Sequence, residues 1–185
     1  MLCRSRFKLR LVLLFFSFLA SRAYSADLTV YVGGLRPGRL TVDNLRTPLD
    51  GSPIFGLRAG VNFIPLLGME HTLGFSSDFL FPRSLSSVTH AKGFVYNSNL
   101  IINVPLGKVI PYGTAGLGLI RQYGSPDLPL GTNFAANYGG GLKFARLVGP
   151  LGLRVDARCY SVFTGLASRL NVFEASGGLL ISVGR

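Results

Sequence analysis

Apolar and polar residues alternate along most of this chain with a period of two, in runs of about 10 to 13 residues, the repeat of a strand with two unlike faces. In 54–64, Phe55, Leu57, Ala59, Val61 and Phe63 share one face, and Gly56, Arg58, Gly60 and Asn62 the other. In 69–81, Met69, Leu73, Phe75, Phe79 and Phe81 oppose Glu70, Thr72, Gly74, Ser76 and Asp78. In 92–104, Phe94, Tyr96, Leu100, Ile102 and Val104 oppose Gly93, Asn97, Asn99 and Asn103. In 133–144, Phe134, Ala136, Tyr138, Leu142 and Phe144 oppose Asn133, Asn137, Gly139, Gly141 and Lys143. Segment 151–160 sets Leu151, Leu153, Val155 and Ala157 against Gly152, Arg154, Asp156, Arg158 and Tyr160. Segment 172–183 sets Phe173, Ala175, Leu179, Ile181 and Val183 against Glu174, Ser176, Gly178 and Ser182. Segments 28–34 and 109–121 alternate less cleanly and are rich in glycine. Together these predict about eight strands, and no stretch sustains a helical 3.6 period.

The connections alternate in length. Pro65 to Gly68, Pro105 to Lys108 and Ala145 to Gly149 read as short turns, while 35–53, 82–91, 122–132 and 163–170 are longer polar links. Lipid offers no partner to backbone N–H and C=O groups, so only helices and closed barrels cross a bilayer. After residue 25 no run approaches the 18 or so apolar residues of a spanning helix. A soluble eight-stranded barrel or sandwich would alternate too, but with its apolar face inside. Here the other face carries Arg154, Asp156 and Arg158, and a dry core cannot be built from such charges. The expected fold is all-β: an eight-stranded antiparallel up-and-down transmembrane barrel. Short turns on one side and long loops on the other describe a bacterial outer-membrane barrel with both chain ends in the periplasm.

The first residues add an address. Arg4, Arg6, Lys8 and Arg10 precede an apolar run from Leu11 to Ala20, and small residues follow at Ser21, Ala23 and Ser25. This is the order of a cleavable secretory signal peptide, with cleavage after Ala23 or Ser25. The expected division is signal peptide 1–25 and barrel domain 26–185. An uncleaved anchor is the alternative, but the apolar run is about half of what spanning needs. Five basic residues leave with the leader, so the formal charge of +11 falls to about +6. The remaining cations sit singly, which argues against nucleic acid as a partner. Only Cys159 remains after the leader, so no internal disulfide forms, and it reads as a small hydrophobe.

The inward face gathers Arg58, Glu70, Asp78, Lys143, Arg154, Asp156, Arg158 and Glu174, four basic and four acidic. An eight-stranded lumen is only wide enough for its own side chains, so these charges must pair or be hydrated. Arg154 and Arg158 are expected to pair with acids among Glu70, Asp78 and Glu174, with Asp156 joining them. Such a network is either a polar plug standing in for a core or a gated path for small polar solutes. In the first loop, Arg36, Arg39 and Arg46 are candidates for contact with lipopolysaccharide phosphates.

These residues resemble the small OmpA-like outer-membrane β-barrel domain family, over about Asp27 to the C-terminus. The stretch from Gly152 to Tyr160 looks like its penultimate strand, with Arg, Asp and Arg on alternate positions before Tyr. Asn137 to Lys143, Pro111 to Gly118 and Leu28 to Gly34 are similar to other strands of the family. The resemblance implies outer-membrane lipid and the barrel-insertion machinery as partners, and a monomer. The family usually ends in an aromatic residue read by that machinery, whereas this chain ends Val183-Gly184-Arg185, which implies either less efficient insertion or a real terminus that differs. No peptidoglycan-binding domain follows the barrel, so the tethering role of longer relatives is not carried over.

Chemistry is sparse. His71 falls on the lipid-facing register, and His90 follows the Ser-rich stretch Ser84, Ser86, Ser87 and Thr89 without an orienting acid. Two histidines without cysteine pairs make no metal site, and no catalytic residue or cofactor is expected. The expected role is a non-enzymatic barrel serving envelope integrity or surface interaction. The alternatives are a narrow transport barrel for small polar solutes and, further off, a lipid-modifying enzyme using His90.

Overall fold

The computed structural model describes residues 24–38, 40–42, 45–47, 51–77, 79, 91–124, 131–163 and 169–184. Ten strands are present among them: β1 (Ser25–Pro37), β2 (Leu40–Val42), β3 (Leu45–Thr47), β4 (Ser52–Ile64), β5 (Leu67–Ser76), β6 (Ala91–Asn103), β7 (Val109–Gly124), β8 (Thr132–Val148), β9 (Leu151–Phe163) and β10 (Arg169–Gly184). Eight of them, β1 and β4 to β10, close into one antiparallel barrel. β1 pairs β10 along its whole length, from Ser25↔Gly184 to Pro37↔Val172, so no edge is left open. Every barrel neighbour is antiparallel, and every strand but β1 follows its neighbour in sequence. This is the up-and-down order.

The alternation sets the wall. Along β9 the burial reads exposed and buried in turn from Leu151 to Arg158, and along β4 from Ser52 to Leu57 nearly the same. The apolar register faces outward: Leu117 is 68% exposed and Phe134 72%, a surface that water would not tolerate but lipid covers. Phe55, Phe75 and Phe94 stand side by side on that wall, with ring centroids 6.3 Å and 5.3 Å apart.

Several boundaries differ from the expectation. The first long link is not all loop: β1 runs on to Pro37, and the short hairpin β2–β3 is built within it. β1 also begins at Ser25, three residues before the expected segment 28–34, and Ser25 Oγ accepts a hydrogen bond from Asn62 at 2.8 Å. β8 extends through the expected turn at 145–149 to Val148. The register slips between Phe144 and Val148, with Arg146 at φ 54°, and the turn itself is Gly149-Pro150. Gly149 adopts φ 58°, a left-handed conformation that costs glycine nothing.

The largest departure is Phe79. Strand β5 stops at Ser76, and Phe79 lies inside, 1% exposed, rather than on the lipid face. Its backbone N–H donates to Ala91 at 2.7 Å, and its carbonyl accepts from Gln122 Nε2 at 3.0 Å. The ring fills the space that a side chain at position 93 would occupy, which Gly93 leaves empty. Around it, Leu35, Ile54, Val95, Ile120, Val162 and Leu170 form an apolar layer inside the long-link end of the barrel. The lumen is therefore not uniformly polar.

Candidate functional site

Below that apolar layer the lumen is crossed by charge. Positions 154, 156 and 158 share one face of β9 because strand side chains alternate. On β8, Gly141 stands opposite Asp156 and Gly139 opposite Arg158, while Lys143 stands opposite Arg154. β5 supplies Glu70 and β4 Arg58 from farther round the barrel, and the neighbouring strand β10 supplies Glu174, in register with Arg158.

Arg154 Nη1 reaches Glu70 Oε2 at 2.5 Å, and Arg158 Nη2 reaches Glu70 Oε1 at 2.6 Å, so one carboxylate serves two guanidinium groups. Arg154 also forks onto Asp156, Nε to Oδ2 at 3.0 Å and Nη2 to Oδ1 at 3.1 Å. Arg158 Nη2 donates to Asp156 Oδ1 at 3.1 Å. Arg58 completes the ring, with Nη1 on Asp156 Oδ2 at 2.6 Å and Nη2 on Glu174. These six side chains are at most 1% exposed. Three cations meet three anions, which keeps the buried centre neutral and provides the pairing that burial demands.

Tyrosines finish the coordination. Tyr112 donates its hydroxyl proton to Asp156 and accepts from Arg154 Nη2 at 2.8 Å. Tyr160 donates to Glu174 Oε2 at 2.5 Å. The Arg58 guanidinium lies 3.8 Å from the centre of the Tyr31 ring, within cation–π range. Ser176 and Thr72 accept from Arg58 and Arg158 at 3.1 Å and 3.4 Å.

The sequence-predicted residues thus fall in three groups. Arg58, Glu70, Arg154, Asp156, Arg158 and Glu174 come together, although Glu174 serves Arg58 rather than Arg154 or Arg158. Lys143 stands apart and pairs with Asp27 at 2.7 Å, an acid the expectation did not include. Asp78 lies outside the described residues. The expectation also missed the roles of Tyr31, Tyr112 and Tyr160. Tyr31 and Tyr112 sit in the two least regular segments, where counting every second residue would still have placed them inward.

Beneath the network, at the short-turn end, lies an open cavity of about 410 Å³. Asp27, Asn62, Asn103, Lys108, Lys143 and Ser182 are among its walls. Asn103 donates to Asn62 Oδ1 at 2.9 Å, and Ser182 to Asp27 Oδ1 at 2.9 Å. Higher in the lumen Asn137 Nδ2 donates to Asn97 at 3.1 Å.

Of the first-loop arginines, Arg36 is exposed on the outer face of β1, in register with Phe173. Arg39 and the side chain of Arg46 lie outside the described residues. His71 is on the outer wall with its ring stacked on Tyr96, and its Nδ1 is 3.1 Å from the Tyr96 hydroxyl. His90 lies outside the described residues. Cys159 is a free thiol. Among the described residues no group of three or more His, Cys, Asp or Glu side chains would hold a metal ion.

A closed eight-stranded antiparallel barrel with a lipid-compatible wall and an ion-paired lumen is an integral outer-membrane protein. The family model described as "Outer membrane protein beta-barrel domain" matches residues 11–169, and the chain belongs to that family. Its site is the bacterial outer membrane, with the long-link end toward the outside. Among solved structures, the outer membrane protein OprG from Pseudomonas aeruginosa is similar with a TM-score of 0.64 and 10% identity, covering 89% of this chain and 98% of that one. Neisserial surface protein A gives 0.62 at 15% identity, covering 86% and 97%. The N-terminal barrel domain of Pseudomonas aeruginosa OprF gives 0.61 at 16%, covering 87% and 98%. At such identities the likeness is one of fold. A comparison with curated proteins found no match.

Proposed function

We propose that this protein is a non-enzymatic, plugged outer-membrane barrel that contributes to envelope integrity or presents its outer loops for surface interaction. The observation that carries this reading is the six-membered ion network at no more than 1% exposure, lying across the lumen. Moving an ion through it would require breaking buried pairs, each costly to leave unmatched. The apolar layer of Ile54, Val95, Ile120, Val162 and Phe79 lies over it as a second seal. Reconstitution in planar bilayers tests the reading: a flat current record is the expected result, and reproducible conductance steps would overturn it.

A narrow path for small polar solutes is the second reading. It is favoured by the open cavity below the network, with Asp27, Lys108 and Lys143 on its walls, and by buried groups without a partner there and above, Asn103 Oδ1 and Asn97 Nδ2 among them. Proteoliposome swelling in small sugars and amino acids separates the two. A lipid-modifying activity through His90 has no supporting observation among the described residues. Lipid A isolated from overexpressing cells is expected to be unchanged.

A further inference from the structure

A cation facing lipid on a barrel wall is costly at the bilayer midplane and nearly free at the interface. Arg121 and Lys92 are exposed on the outer face of β7 and β6. Both lie within three residues of the strand ends at the long-link side, as does Phe75 on β5. Cross-strand register sets Phe75 beside Phe94, Phe94 beside Arg121, and Lys92 beside Tyr123. Phe75, Phe94, Arg121 and Tyr123 line an open groove of about 340 Å³ on the outside of the barrel. The next outward row toward the midplane is Leu73, Tyr96 and Leu119, so the groove borders the apolar belt. No ion pair among the described residues holds either cation. An aromatic girdle marks the depth of the lipid headgroups, which places both charges at the level of the headgroup phosphates of the outer leaflet.

We infer that this groove on the outer wall of β5 to β7 binds a phosphorylated glycolipid of the outer leaflet. Arg121 and Lys92 hold a headgroup phosphate, and the rings of Phe75, Phe94 and Tyr123 lie along the start of its acyl chains. Arginine suits the task because its planar fork matches phosphate oxygens two at a time. Outward Arg36 beside Phe173 repeats the cation-and-ring pairing on the opposite flank, which moves lipid contact from the loop to the barrel rim. The inference rests on the outer-membrane location and not on the sealed lumen, so conductance would overturn the plug and leave this site standing.

The test titrates refolded protein in detergent with lipid A, with the same lipid stripped of its phosphates, and with inorganic phosphate. Retention is read by native mass spectrometry. The wild type is expected to hold the phosphorylated lipid in preference to the stripped one. Arg121→Gln and Lys92→Gln should each weaken retention by about fivefold and the pair by more than tenfold, while Arg121→Lys recovers part of the loss. Heat-modifiable gel mobility establishes that each variant is folded, and the stripped-lipid comparison needs no variant at all. Equal retention by the double variant, or of the stripped lipid, would overturn the site. Binding of inorganic phosphate without the lipid would assign the groove to a free anion and overturn it as well.

Discussion

Glu70 carries two guanidinium groups on its two oxygens, Arg154 at 2.5 Å and Arg158 at 2.6 Å, and it is the one acid that β5 contributes to the network. Glu70→Gln keeps the shape and removes the charge, so three cations then face two anions in a fully buried site. A cost of about 3–5 kcal/mol is expected, the range for breaking a buried pair from one side. Adding Arg158→Gln removes one cation as well and should recover a large part of that loss. Urea unfolding in lipid vesicles, run as a double-mutant cycle, reads both values; equal or greater loss in the double variant would exclude charge balance as the cause. The members of this network could be found from the sequence because strand alternation gives each a face. Their partners could be only in part: Arg154 and Arg158 do meet Glu70, but Glu174, which register sets directly beside Arg158, bonds Arg58 two strands away, a choice made by side-chain reach across the lumen.

At the scale of the strand, β8 shows what its glycines do. A Cβ on Gly141 would press on the carbonyl oxygen of Val155 and come within 2.8 Å of the Tyr112 hydroxyl, so Gly141→Ala must spread β8 from β9 or displace Tyr112 from Asp156. A loss of about 1–3 kcal/mol is expected, as for other overpacked interiors. Gly113 on the outer wall has no atom nearer than 4.0 Å to such a Cβ, and Gly113→Ala should stay within about 0.5 kcal/mol of wild type. Urea midpoints of the two variants, measured side by side, check the contrast. Strands of this kind announce themselves by their period, and all eight barrel strands were legible. Their ends were not. Phe79 continues the alternation past Ser76 on paper, yet the chain leaves the sheet and the ring turns into the gap over Gly93. Residues such as Val95 and Ile120 flank apolar outward neighbours, so the pattern loses its contrast where the lumen itself becomes apolar.

For the molecule as a whole, the lumen takes the place that a hydrophobic core has in a soluble domain, and it is built in three levels. An open cavity of about 410 Å³ with Asp27, Lys108 and Lys143 on its walls lies at the periplasmic end, the ion network crosses the middle, and the apolar layer closed by Phe79 lies toward the outside. On the plugged reading proposed above, the middle and outer levels would block ions for different reasons. The network fills space with paired charge, whereas an apolar constriction excludes water and so denies an ion its hydration. Two seals in series predict a non-additive result. Replacing Glu70, Arg154, Asp156 and Arg158 together with serine keeps the centre neutral, because two acids and two cations leave at once. That variant should still give a flat current record, since the apolar layer remains. Phe79→Ala alone should also stay silent, since the network remains. Only the five-residue combination is expected to give conductance steps in planar bilayers, with gel mobility establishing that each barrel is closed. Conductance from the serine variant alone would show that the network is the only seal, and conductance from Phe79→Ala alone would show that the network leaks.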